Sequence, residues 1–218
     1  MLRTLEPEIM DDEQQALVYA KADFSSSNQW YVDQLVAEYA DHLRNVIDIG
    51  CGPGDVMLRL ARARPNIRIT AIDGSAAMID LARKAVLRAN LQARITPMQG
   101  YIPGLALGEQ SFDAVLSKDL LHHLPDPMVL WSEAKRLARP GAAIYVMDLI
   151  RPKTPQDARN IVESVAPDEH PILKEDFYNS LCAAFTVEEA EAQVEQAGLP
   201  LSVAQVSDRH MVIKGLLR

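Results

Sequence analysis

Acids, glycines and histidines stand at several places where their spacing could do chemistry. In VIDIGCGPGD, Asp48, Gly50, Gly52 and Gly54 occupy every second position. Glycines in such a turn let the backbone come close to a bound molecule, and the free amides of a following helix attract anionic or polar groups. The spacing is not that of a phosphate loop, which closes on Gly-Lys-Ser/Thr, nor the G-x-G-x-x-G of a dinucleotide fingerprint. Asp55, next in line, would repel a pyrophosphate, so the turn suits a ligand without phosphates. Further on, SKDLLHHL carries Asp119, His122 and His123. If a helical turn forms there, Asp119 and His123 share a face and could accept a proton from a reacting group, while His122 points about 100° away.

These residues need a frame. From Asn45 onward short apolar runs alternate with helical segments: NVIDIG, 55–64, IRITAID, 75–90, RITPM, FDAVLS at 112–117, a helix over 126–138, an RPG stop, and AAIYVMDL at 142–149. The alternation reads as βαβ units feeding a parallel sheet. Ahead of it, Val32, Leu35, Val36, Tyr39, Ala40 and Leu43 make one helical stripe over 30–43, behind an acidic leader. Thr154 and Pro155 can cap and begin a helix in a Pro-rich connection over 150–174, and a second helix is expected over 174–184. Thr186 to Glu189 has capping-box spacing before a third helix that stops at Gly198. The tail, LSVAQVSDRHMVIKGLL, reads as an antiparallel pair at a sheet edge, turning at SDR.

The 218 residues, 48% apolar, suit one large domain. We read 1–43 as an N-terminal helical cover, 44–150 as the ligand-binding core, 151–198 as a second helical cover and 199–218 as a hairpin. A net charge of -8 makes nucleic acid an unfavoured partner. The start of the sequence is acidic where a signal peptide would be basic, and no window is apolar enough for a membrane span, so a cytoplasmic protein is expected. Cys51 and Cys182 read as reduced, packed thiols, with a nucleophilic Cys51 as the rival. No dense ligand cluster suggests a metal, and the sequence is compatible with a homodimer.

The run from Asp48 to Gly54 resembles the first motif of class I S-adenosylmethionine-dependent methyltransferases. Asp73, closing the second strand in AIDGS, stands where that family's acid takes both ribose hydroxyls, and SFDAVLSKDLLHHLPDPMVLWSEAKRLARPG is similar to its fourth strand and following helix. The resemblance implies a Rossmann-like α/β fold with seven mostly parallel strands, the last antiparallel. It implies S-adenosyl-L-methionine as cofactor, S-adenosyl-L-homocysteine as product, and in-line methyl transfer to a small-molecule acceptor. Carried over by position, Asp48 and the turn Gly50, Cys51, Gly52 and Pro53 face the methionine part, as does Ser117. Asp73 faces the ribose, and Gly74 and Met78 the adenine edge. The family often has an acid after the glycine that follows strand three. Here Gly100 is followed by Tyr101, so stacking or backbone contacts are expected instead.

His123 with Asp119 is also similar to the arrangement in phosphoethanolamine methyltransferases, where such a histidine works beside an N-terminal tyrosine, a part Tyr19 could fill. The competing reading is that the histidines cap and pack a helix. On the acceptor side we place His122, with Asp176 and Tyr178 from KEDFYNSLCAAF, a segment that also reads as an ordinary amphipathic helix burying Phe177, Leu181, Cys182 and Phe185. His210 reads as structural. Two rivals stand beside methyl transfer: an NAD-type oxidoreductase, and a protein that binds the cofactor without turnover.

Overall fold

In the computed structural model, which describes residues 1–6 and 10–217, seven strands form a single sheet. β1 (Asn45–Ile49), β2 (Arg68–Asp73), β3 (Ile95–Gln99), β4 (Phe112–Lys118) and β5 (Ala138–Leu149) are all parallel, and β6 (Ser202–Gln205) and β7 (His210–Leu216) form the C-terminal hairpin. The order is β3-β2-β1-β4-β5-β7-β6, with β7 antiparallel to both of its neighbours. The chain starts at β1, steps outward to β2 and β3, then returns to β4 on the other side. The space past the carboxyl ends of β1 and β4 is therefore a topological switch point, where open α/β sheets hold ligands.

Strand side chains alternate between faces, and the core follows that period of two. Val46, Ile69, Ala71, Ala114, Leu116, Tyr145 and Met147 pack under α2 (Ser25–Tyr39), α3 (Asp55–Ala63) and α4 (Ala76–Arg88). Their neighbours Ile47, Ile72, Val115, Ile144 and Val146 face the other way, against α5 (Met128–Leu137) and α8 (Val187–Gln196). Strands covered on both faces must be apolar throughout, which is why β1 and β4 are nearly continuous runs. Tyr31 of α2 crosses the core fully buried and its hydroxyl donates to the Tyr145 carbonyl at 3.0 Å.

The remaining helices cover the carboxyl side. α1 (Glu13–Lys21), inside what the sequence shows as an acidic leader, is capped by Asp12, whose side chain accepts from the Gln15 amide. α6 (Pro155–Val165) begins at a full capping box of Thr154 and Asp157, and α8 at one of Thr186 and Glu189. α7 (Pro171–Ala183) starts three residues before the expected 174. The Arg139–Gly141 stop is instead drawn into β5, whose register with β4 shifts between Phe112 and Ala114. Among the described residues, no helix is long and apolar enough to cross a membrane.

Candidate active site

The site is built where β1 and β2 end together. After Ile49 the chain turns sharply, with Gly50 at φ +81° and Gly52 at φ +52°, backbone that side chains rarely adopt. A Cβ at Gly50 would lie 2.9 Å from Leu120 Cβ, so the turn also needs glycine to pass the start of the β4 loop. At Gly52 a Cβ would meet nothing within 4 Å, because that position faces open space. The Gly52 amide donates to Asp73 Oδ2 at 2.8 Å and the Ser75 amide to Asp73 Oδ1 at 2.9 Å. One lone pair on each carboxylate oxygen remains for a ligand.

Around this carboxylate lies a cavity of 340 Å³, whose wall includes Gly50, Gly52, Asp73, Gly74, Met78, Gly100 and Tyr101 on one side and Tyr19, Lys118, Asp119 and His123 on the other. A second cavity of 220 Å³ takes in Asp48, Cys51, Pro53, Phe24 and Asn28. The two share Tyr19, Gly50, Gly52, Lys118 and Asp119, so the glycine turn is the wall between connected spaces. Tyr101 is 54% exposed and offers a ring at the open end, in place of the acid common there in the resembling family.

Burial and charge set the protonation states. Asp48 is 3% exposed, and burial together with Asp73 pushes its carboxyl up to about 7, against the opposite pull of Lys118. Burial also raises Asp73, an effect partly offset by the Ser75 and Gly52 amides. For Asp119, burial acts upward but Lys118, then His210 and His122, outweigh it, so this carboxyl is held low. Tyr19 is raised by burial and by Asp119 and Asp73, which keeps it a neutral phenol. Cys51 is raised well above the ordinary thiol value, chiefly by burial, and this excludes a ready thiolate nucleophile.

Several sequence expectations meet different geometry. Asp119 sits at φ +56° and a short 3₁₀ turn, Leu121–His123, follows, so no helical turn aligns Asp119 with His123. Asp119 Oδ2 instead pairs with Lys118, and Oδ1 is buried without a hydrogen-bond partner among the described residues. Ser117 does not end β4, which runs on to Lys118. Ser117 is fully buried and its hydroxyl donates to the Ile49 carbonyl at 2.8 Å, stitching β1 to β4 rather than lining either cavity.

His122, 2% exposed, turns inward so that its Nδ1 lies 2.7 Å from Asp148 Oδ1. Burial opposes its charge, but Asp148 outweighs burial and raises it. His123 does line the larger cavity, and burial and the neighbouring His122 push it down to about 3. Asp176 accepts from Gln15 Nε2 at 3.1 Å, and Tyr178 stacks under Arg159 at 4.9 Å; neither lines the two cavities. Leu181 and Cys182 are buried as an amphipathic helix would have them, Phe177 is only partly buried, Phe185 is buried two residues past the end of α7, and His210 bonds Ser207. Lys118 is the residue that sequence reasoning missed. Its only signal was a lysine directly before Asp119 at the end of an otherwise apolar strand.

Residues 46–141 match the family model described as a methyltransferase domain. The chain is 27% identical over 163 residues to the 27-O-demethylrifamycin SV methyltransferase of Amycolatopsis mediterranei, covering 74% of this chain and 56% of that protein. It is 30% identical over 125 residues to the ubiquinone biosynthesis O-methyltransferase of Xanthomonas campestris, covering 55% and 49%. The chain thus spans about half the length of the curated relatives it matches. Among solved structures, a SAM-dependent methyltransferase from Aquifex aeolicus superposes with TM-score 0.72 at 18% identity, over 95% of this chain and 99% of that one. The plantazolicin methyltransferase BpumL, solved in complex with SAH, superposes with TM-score 0.70 at 16% identity over 95% and 91%. These likenesses share the fold. With the family-model match over 46–141, they support a methyltransferase of the class I S-adenosylmethionine-dependent kind.

Proposed function

We propose that this chain binds S-adenosyl-L-methionine across the two cavities and transfers its methyl group to a small organic acceptor, releasing S-adenosyl-L-homocysteine. The observation that carries the reading is the Asp73 carboxylate, fixed by the Gly52 and Ser75 amides, with free lone pairs on a cavity floored by a glycine turn. That carboxylate suits a pair of vicinal hydroxyls, Met78 and Tyr101 suit a flat apolar base, and Asp48 with the Gly50–Gly52 backbone suits an amino acid end. When bound, the cofactor supplies an electrophilic methyl on a sulfonium.

Displacement at a methyl carbon needs the acceptor atom in line and water kept out, so positioning can supply much of the rate. Tyr19, on the wall of both cavities, stacks at 4.9 Å between centroids on Phe24 of the smaller one, and so offers an aromatic face toward the place of a cation. His123 is neutral across the physiological range and can accept the hydrogen of an acceptor hydroxyl or amine, though its low basicity favours orientation over full proton removal. Asp119 Oδ1 is a second unused acceptor on the same wall.

The net charge of -8 supports a metabolite over a nucleic acid as acceptor, and two free, buried cysteines support a cytoplasmic setting. The NAD-type rival is weakened by Asp55, which opens α3 where a pyrophosphate would have to lie. Incubating the chain with methyl-labelled cofactor and a set of phenols, amines and cell-extract metabolites tests the reading. Label should appear in a small acceptor. Cofactor binding with no acceptor labelled by any extract would leave the binding-protein reading in its place.

A further inference from the structure

Three metal-ligating side chains converge beside the larger cavity, from parts of the sequence far apart. Glu6 comes from the N-terminal segment, and His122 and His123 from the 3₁₀ turn after β4. One ligand atom from each lies within 4.8 Å of the other two. Glu6 and His122 are 7% and 2% exposed, and His123 is mostly covered.

The three side chains have neighbours of the kind that orient ligating groups. Asp148 holds His122 through Nδ1 at 2.7 Å, the carboxylate pairing that fixes the tautomer of a ligating imidazole and leaves Nε2 to ligate. Ser180 Oγ donates to Glu6 Oε2 at 2.9 Å and orients that carboxylate. His123 Nδ1 is buried with no hydrogen-bond partner among the described residues. It lies 3.8 Å from Glu6 Oε2, too long for a hydrogen bond. Two donors on one tetrahedral ion, each at roughly 2.0–2.2 Å, stand about 3.3–3.6 Å apart, so this separation is close to that of a shared ion, and a pair as wide as 4.8 Å would need to close by about 1.2–1.5 Å.

Arg3, the nearby cation, turns its guanidinium onto the carbonyls of His122 and Leu124, both at 2.9 Å, and so pins the N-terminal segment to the turn.

We propose that Glu6, His122 and His123 bind one divalent first-row transition ion of the zinc type. Two imidazoles and one carboxylate form the donor set that such ions take with a position left open, and that the oxygen-seeking magnesium and calcium do not select. The ion ties the N-terminal segment to the turn that walls the cavity. Because His123 lines the larger cavity, an acceptor oxygen held there could take the open position; that last consequence rests on the methyl-transfer reading, whereas the ion site does not.

The test uses the untagged full chain, stripped with chelator and titrated with Co²⁺ as a visible-absorption probe and with Zn²⁺ by calorimetry. One equivalent bound at micromolar affinity or tighter is expected. Glu6→Gln and His123→Ala, each checked for native far-UV circular dichroism, should weaken binding by at least about tenfold. Binding below one equivalent, or equal affinity in Glu6→Gln, overturns the site, since the latter would place the ion on surface histidines such as His170. S-adenosylhomocysteine binding, measured on the same stripped chain, keeps the two readings apart: its retention without metal binding overturns the ion site alone.

Discussion

The Gly52 amide donates to the Asp73 carboxylate at 2.8 Å, and this one bond joins the turn after β1 to the end of β2. Both ligand-facing elements are therefore set in register before any ligand arrives, and the cost of orienting the carboxylate is met by folding. The β1–β2 register, Asp48 opposite Ala71 and Ile49 opposite Ile72, brings the two strand ends level and makes that bond reachable.

The two glycines of the turn should separate folding from binding. Gly50→Ala places a methyl 2.9 Å from Leu120 Cβ at a positive φ, and should cost about 2–3 kcal/mol, lowering the melting temperature by roughly 4–12 °C. Gly52→Ala meets no protein atom and should lose only about 1 kcal/mol from backbone strain, yet its methyl stands in both cavities. Calorimetric unfolding and S-adenosylhomocysteine titration of the two variants should thus rank them in opposite orders.

Asp48 gives stability a pH dependence of unusual sign. Its folded carboxyl keeps a proton up to about 7, while the unfolded chain releases it near 4, so between those values the folded state holds more protons. Stability from this group falls as pH rises through that window and levels off above it. Asp48→Asn should remove the decline and be more stable than the parent at pH 8, by at most about 4 kcal/mol, with little difference at pH 4. Denaturant melts across pH 4 to 8 check this, and a gap that widens toward acid would contradict it.

His123→Ala should reduce turnover by about 10- to 100-fold while changing S-adenosylhomocysteine affinity by less than about threefold, since its ring faces the cavity beyond the glycine turn. With its ring held down to about 3, the parent rate should show no limb near pH 6.5 from this group. A loss confined to cofactor affinity would remove His123 from the acceptor step.

Asp148 is 1% exposed and holds the Leu121 amide at 2.7 Å, the Leu149 amide at 2.8 Å and His122. Asp148→Ala leaves these buried donors unpaired and should cost about 3–5 kcal/mol of stability, readable by urea denaturation. Asp148→Asn, which keeps an acceptor oxygen, should recover part of that loss.

The legible parts of the molecule were those with short-range causes. The five parallel strands and their intervening helices show in apolar periodicity, and the caps at Thr154 and Thr186 in residue spacing alone. Asp73, Gly74, Met78, Gly100, Tyr101 and Tyr19 fall on the cavity wall because strand ends in such a sheet meet at one edge. What was hidden depends on contacts far apart in sequence. The fold of residues 118–123 turns on Asp148, 26 residues beyond His122, so a helical turn was the natural but wrong expectation for Asp119 and His123. Ser117 was misjudged by one residue of strand length, enough to move a side chain from ligand to core. The gathering of Glu6 with His122 and His123 has no spacing signature at all.

The most direct measurement is isothermal titration of S-adenosylhomocysteine into the full chain and into Asp73→Ala. One saturable site in the parent and at least tenfold weaker binding in the variant are predicted, since a charged contact to two hydroxyls contributes about 1.5–3 kcal/mol per bond before compensation. Equal affinity in the two proteins, or a parent that ignores this compound while binding a nicotinamide dinucleotide, would contradict the account.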